Sequence, residues 1–250
     1  MTGEGSDSAR DQSVAREEET APSPSEVSVP DGVDDRRSMA SDLLDAAESD
    51  PGDVSRDEMA QIVALLSVDD GEARSTAAKA LQHLYDRPAL FAPYVEALLS
   101  AAASYPDDFE GIPAPAVWMG SPHVRATVYA TDALARVAQR EPSLFVPHVE
   151  EMATRLRSDR NVSRYLLFVV GLAEADSPGL VSREWLRDEL CDLLDRGRGN
   201  GYPSWAADVL GQLGDPEALA AVREAHPGED ADDLAREAFD EAIAALEAAE

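Results

Sequence analysis

The sequence predicts an all-α fold: a right-handed α-solenoid of about four helix pairs closed by capping helices. Three observations carry that expectation. A ten-residue block beginning at Arg87 returns in register at Glu141. Prolines fall at the first position of helix after helix, where a missing N–H costs nothing. Strand signals are absent, since β-branched alternation is rare and alanine, the best helix former, fills 42 of 250 positions.

Residues 1–37 carry ten acids against four arginines and no periodic apolar pattern. Such a stretch buries too little surface to offset its ordering entropy, so it is expected to be a disordered acidic tail. Residues 38–54 read as a weakly ordered linker, in which Met39 to Ala47 forms a short, loosely docked turn of helix. Order is expected from residue 55 to 250. Ser55-Arg56-Asp57-Glu58 is a capping box, in which the serine and the glutamate satisfy each other's backbone N–H. Beyond it, Leu81, Leu84 and Tyr85, then Leu134 and Val137, then Leu166, Leu167 and Val170 keep helical spacing. Pro88, Pro122, Pro142 and Pro216 mark helix starts, with Ser121 and Asp215 as caps. The expected helices are 55–67, 71–86, 88–103, 121–140, 142–157, 159–175, 182–195, 203–213, 215–225 and 229–248.

The repeat is explicit. Arg87-Pro88-Ala89-Leu90-Phe91-Ala92-Pro93-Tyr94-Val95-Glu96 recurs as Glu141-Pro142-Ser143-Leu144-Phe145-Val146-Pro147-His148-Val149-Glu150, at an offset of 54. Fainter copies follow at Ser177 to Val181 and at Asp215 to Leu219. A helix pair cannot bury its apolar face alone, so pairs stack, here as 71–103, 121–158, 159–195 and 203–225. The helices 55–67 and 229–248 would cap the ends. In the latter, acids surround an apolar stripe of Leu234, Phe239, Ile243 and Leu246. A four-helix bundle is the structural alternative, but it does not predict a repeated Pro-x-Leu-Phe-x-Pro turn.

Val209-Leu210-Gly211-Gln212-Leu213-Gly214-Asp215-Pro216-Glu217-Ala218-Leu219 resembles the HEAT-repeat family, in particular its short variant of the phycobilisome-lyase type. Ser121-Pro122-His123-Val124-Arg125 matches the start of that variant's first helix, and Asp70-Gly71-Glu72-Ala73-Arg74 matches it more loosely. The resemblance covers about 55–225 and implies HEAT-like stacked pairs. The chain departs from it in the longer helices at 142–157 and in an insertion from Ser104 to Gly120.

Charge narrows the function. Fifty acids against 21 basic residues give −29, and Lys79 is the sole lysine. Such a surface fits a salt-rich, halophilic cytoplasm, because at molar salt the Debye length of about 3 Å screens self-repulsion. A mesophilic acidic protein with a solvating tail is the alternative. The global field repels phosphate, so nucleic acid is disfavoured as a partner. Cys191 is alone, which excludes a disulfide scaffold. No export segment is read at the start, and the longest apolar run, Tyr165 to Leu172, is eight residues against the ~20 a membrane helix needs. The expectation is a cytoplasmic protein.

The residues offer little chemistry. His83, His123, His148 and His226 never stand at i,i+4, and none groups with Cys191 in a metal-binding spacing. His83, His148 and Cys191 read as partly buried packing residues. Neither catalysis nor a metal or cofactor is expected. The leading reading is a non-catalytic scaffold or adaptor that binds protein partners. Two alternatives stand beside it: a lyase-like accessory enzyme for chromophore or cofactor attachment, suggested by the resemblance alone, and a helical-repeat protein that contacts nucleic acid.

Two features are candidates for partner binding. The insertion 104–120 carries Phe109 and Trp118, which either fold back onto their own repeat or anchor a partner. The second is an arginine island. Arg157, Arg160 and Arg164 have no acid three or four places away and face one another at helical spacing, while Arg183 and Arg187 share a face on the next helix. Either acids from adjacent helices or the tail neutralise this island, or it docks an acidic partner through bidentate guanidinium–carboxylate bonds.

Overall fold

Caps and prolines open the helices where their chemistry requires. The computed structural model describes residues 21–105, 120–196, 202–228 and 231–249. Its helices are α1 (Val33–Ser49), α2 (Arg56–Leu65), α3 (Gly71–Leu84), α4 (Val95–Ala102), α5 (Pro122–Arg140), α6 (Val149–Ser158), α7 (Tyr165–Asp176), α8 (Arg183–Arg196), α9 (Tyr202–Leu213), α10 (Leu219–Ala225) and α11 (Asp233–Ala248). Among the described residues there is no β-strand. Ser55 and Glu58 form the reciprocal capping box, with N–H···O distances of 2.7 and 3.2 Å. Asp70, Ser121 and Asp232 cap α3, α5 and α11 by accepting backbone N–H bonds.

The two copies of the repeated block fold alike, and not as continuous helix. Residues Pro88–Phe91 make one α-turn followed by a 3₁₀ turn Ala92–Tyr94, and Pro142–His148 is 3₁₀ throughout. Pro93 and Pro147 lack the N–H that a helix needs and crowd the preceding turn, so the expected helices 88–103 and 142–157 break there. Helices α4 and α6 begin immediately after, at the equivalent Val95 and Val149. Phe91 and Phe145 point inward, each fully buried. The segment expected as helix 215–225 divides similarly, into a 3₁₀ turn Pro216–Ala218 and α10.

Helix α7 starts six residues later than the expected 159–175. The Tyr105 N–H donates to the Asn161 carbonyl at 2.7 Å and the Ser163 N–H to the Ala103 carbonyl at 2.8 Å, forming an antiparallel bridge between Ser104 and Val162. Extended residues in a ladder cannot also be helical. This bridge ties the chain after α4 to the chain after α6.

The odd-numbered helices form a continuous row of neighbours: α1 packs on α3, α3 on α5, α5 on α7, α7 on α9, and α9 on α11. The even-numbered helices pack against their sequence neighbours, and α2 also meets α4 while α8 meets α10. One apolar core runs through the whole row. Gly211 permits the closest approach, since a Cβ there would sit 2.8 Å from the backbone Cα of Ala242 on α11. Gly214, just past the end of α9, adopts φ +60°, the left-handed helix exit that glycine takes without strain.

The segment 38–54 is not a weakly ordered linker. It lies largely within α1, whose Ala40, Leu43 and Ala47 are buried against the row. Their i, i+3, i+7 spacing is helical, and two small alanines let α1 approach α3 closely. Polar ties complete the seam. The Arg37 Nε donates to Asp70 at 3.0 Å, and Glu48 accepts from Lys79 at 2.8 Å. Burial alone would push the Asp70 carboxyl up, but Arg37 and the N–H groups of Ala73 and Glu72 bring it below the usual aspartate value. The expected disordered tail, 1–37, lies outside the described residues as far as residue 20. Beyond that point Ala21, Val27 and Val29 pack against the core. No helix among the described residues is long and apolar enough to cross a membrane.

Helix α7 ends on a buried acid. Glu174 is fully buried and accepts backbone N–H bonds from Gly179 at 2.8 Å, Leu180 at 2.7 Å and Val181 at 3.1 Å. Arg183 approaches it at 3.4 Å. Burial opposes its charge, but these donors outweigh burial and hold its carboxyl below the usual glutamate value of 4.5. A depressed folded pKa adds stability that is complete above the unfolded value and is lost as pH falls through the folded one. Glu174→Gln should therefore lower stability by roughly 2 kcal/mol at neutral pH, because its amide NH₂ faces donors, and lower Tm by about 4–8 °C. The gap between variant and native melts should narrow as pH is taken from 6 towards 3; a gap that persists unchanged would refute the role given to the charge. Gly211→Ala should cost about 1–3 kcal/mol by wedging α11 away from α9. Equilibrium urea unfolding checks this, and an unchanged midpoint would show that the approach is loose.

Candidate functional site

The arginines singled out in the sequence meet different fates. Helix α6 ends at Ser158, so Arg160 leaves the helix and the three-arginine face of 157, 160 and 164 does not form. Arg164 meets Glu189 of α8 at 3.4 Å and the Leu156 carbonyl of α6 at 3.4 Å. Arg183 lies against the buried Glu174. Arg187 is only 17% exposed and contacts Asp188 and Asp215 at 3.3 Å each, as well as Glu217. Acids of adjacent segments thus neutralise three of the five. The other two differ. The exposed Arg157 places its guanidinium carbon 4.1 Å from the centroid of the Trp185 ring. Arg160 is exposed and makes no ion pair among the described residues. Phe109 and Trp118, within the insertion, lie outside the described residues.

A second cluster, not anticipated from the sequence, gathers on the odd-numbered row. Arg136 of α5 sits 5.5 Å from the Tyr85 ring centroid and 5.9 Å from that of Trp205 on α9. Arg140, one turn on, lies 5.4 Å from Tyr85 and pairs with Asp86. Beneath them Asp132 accepts from Arg136 Nε at 2.9 Å and from Gln82 Nε2 at 2.7 Å. Asp132 holds the Arg136 guanidinium above its ordinary pKa, against the effect of burial. Trp205 in turn stacks on Phe168 of α7, with centroids 5.6 Å apart and planes within 14°. The result is a half-exposed surface of tyrosine, tryptophan and arginine, the residue types that anchor protein interfaces. Tyr85 at the C-cap of α3, Arg136 on α5 and Trp205 on α9 come from three separate segments, and the local trace of the cluster is the Asp132/Arg136 spacing of four.

Behind this surface lies a buried polar seam. The Tyr105 hydroxyl donates to Ser163 Oγ at 3.4 Å, Ser163 shares a 2.8 Å bond with Thr131, and Thr131 donates to the Thr127 carbonyl at 2.7 Å. Tyr165 and Tyr202 pack beside it, with ring centroids 4.7 Å apart. Burial, and secondly the charge of Asp132 on Tyr165, push these phenols well above the ordinary tyrosine value. They stay protonated at neutral pH and cannot act as bases. Burial likewise pushes the Cys191 thiol up, which disfavours the nucleophilic thiolate. His83 lies 3.3 Å from Glu48, and His226 lies 3.1 Å from Asp240, each on the surface. Among the described residues no three His, Cys, Asp or Glu side chains converge to hold a metal ion. What the arrangement leaves at the surface is a set of half-exposed aromatic rings with guanidinium groups over them. No protein-family model and no curated protein sequence matches this chain.

Proposed function

We propose that the chain is a protein-binding scaffold, built as a HEAT-like, right-handed α-solenoid of stacked helix pairs. One observation carries the reading. The odd-numbered helices continue as a row from α1 to α11, and the middle of that row presents Tyr85, Arg136 and Trp205 half-exposed and already stacked. Stacked guanidinium and indole groups lose little rotamer freedom on binding, which favours tight contact per residue. Arg157 on α6 and Arg160 in the connection after it offer a second surface to an acidic partner. Arg157 is held over Trp185 and keeps its N–H fork free of carboxylates, ready for bidentate bonds. The lysine-poor surface supports a salt-rich cytoplasm as the setting, where short-range hydrogen bonds, not long-range steering, have to carry recognition.

The double variant Arg157→Gln/Arg160→Gln changes only exposed side chains, so its melting curve should stay within about 0.5 kcal/mol of the native chain. Its acidic partner, captured by the tagged native chain at roughly molar KCl and identified by mass spectrometry, should be lost about tenfold or more. If the native chain captures no stoichiometric protein, the scaffold reading fails. If the double variant captures the same partner equally well, the assignment to these two arginines fails alone.

A further inference from the structure

Helix α11 exposes what its sequence pattern marks for burial. Phe239, Ala242 and Leu246 of its apolar stripe are buried, but Leu234, at its first turn, is 74% exposed. Leu234 borders a groove of about 300 Å³ between α9 and α11, with Trp205 on the α9 wall and Ala238 on the α11 wall. Asp208, Glu237 and Glu241 line the same groove. Asp208 is held by the amides of Gln139 and Gln212, each at 3.1 Å. Glu237 and Glu241 are exposed and make no ion pair among the described residues. An apolar notch between carboxylates matches a segment that offers an apolar anchor flanked by cations, and a neutral or acidic segment would leave the acids desolvated without compensation.

We propose that this groove docks a cationic amphipathic segment of a partner protein, whose apolar side chain packs on Leu234 and Trp205 while Lys or Arg side chains meet Glu237 and Glu241. The proposal rests on the scaffold reading and names one class of partner for it. Both carboxylates stand on one face of α11, at i and i+4, so they present two acceptors one helical turn, about 5.4 Å, apart. A helical segment laid in the groove matches that spacing with cations one turn apart on its own face. Leu234 supplies the apolar contact that persists when salt screens the charges, and it makes binding selective among cationic chains.

The test uses the full chain and a fluorescein-labelled peptide of about 18 residues, with leucine on one helical face and lysine on the other. Fluorescence anisotropy at roughly molar KCl should show binding by the native chain, and none of a control peptide in which every lysine is glutamate. Leu234→Ser and Glu237→Gln/Glu241→Gln should each weaken binding about fivefold or more. Glu96→Gln/Glu150→Gln removes the same charge from exposed sites elsewhere and should leave binding within about twofold. Equal weakening by that control would mean attraction to the overall charge, and it overturns the proposal, as does absence of binding. Self-association that Leu234→Ser abolishes would assign the groove to a second copy of the chain and equally overturn it. Those failures leave untouched the capture of a partner at Arg157 and Arg160, on which the scaffold reading is judged.

Discussion

Helix α7 has no solvent face. Every residue from Tyr165 to Glu174 is buried, and a helix apolar on all sides must be walled on all sides. Helices α5 and α9 supply two of those walls, and α6, α8 and the 3₁₀ turn at 142–148 supply others. Above α7 its two flanking helices come close enough for Gln139 of α5 to bond Asp208 of α9 at 3.1 Å. Trp205 closes the gap by stacking on Phe168, and Arg136 lies over Trp205. The exposed aromatic–guanidinium surface is therefore the outer layer of the packing that covers α7. A surface built that way is rigid because the core beneath it is.

Burial of this kind leaves one polar problem, at the helix end. The turn after α7 has backbone N–H groups facing inward, and a buried N–H without an acceptor costs about 1–3 kcal/mol. Glu174 answers three of them at once. The same device recurs at Asp70, which accepts from two N–H groups of its own helix and from Arg37 of α1. In both places one carboxylate, kept ionised by its donors, joins a turn to a neighbouring element. Exposed carboxylates add simpler ties between helices, as where Glu48 accepts from Lys79 and Glu72 from Arg125.

Local chemistry was legible in the sequence, and contacts between distant segments were not. Ser55, Ser121 and Asp215 cap where the spacing placed them, and the repeated Pro-x-Leu-Phe-x-Pro block makes the same turn twice. Each of those signals lies within ten residues. The late start of α7 depends on Asn161 and Ser163 meeting residues some 58 positions earlier, at Ala103 and Tyr105. Helix α1 was underestimated because acids crowd its solvent face and its buried face is mostly alanine, which carries little hydropathy signal. The arginine island failed as a unit for a geometric reason, since α6 ends before Arg160. The Tyr85–Arg136–Trp205 cluster brings together positions 85, 136 and 205, and no spacing within one segment encodes it.

The scarcity of lysine has a structural basis alongside any environmental one. Arg87 donates from one nitrogen to the carbonyls of Pro51 and Val54, at 2.6 and 2.7 Å. Arg125 reaches Ser75 with Nε and Glu72 with Nη2, and Arg155 spans Glu151 and the Leu99 carbonyl. Arg37 holds Asp70 through two nitrogens, and Arg164 joins a carbonyl to an acid on another helix. At Arg37, Arg125 and Arg155 the contacts come from two different nitrogens, so these sites ask for several donors in fixed directions at the end of a long arm. A guanidinium provides them in one plane, whereas an ammonium is a compact, strongly hydrated point charge. The single lysine, Lys79, makes the simpler contact, a 2.8 Å bond to Glu48 with nearly half of its side chain exposed. Arginine here works as a cross-brace between helices, by hydrogen bonds and ion pairs at most of these sites and by stacking where Arg157 of α6 covers Trp185 of α8.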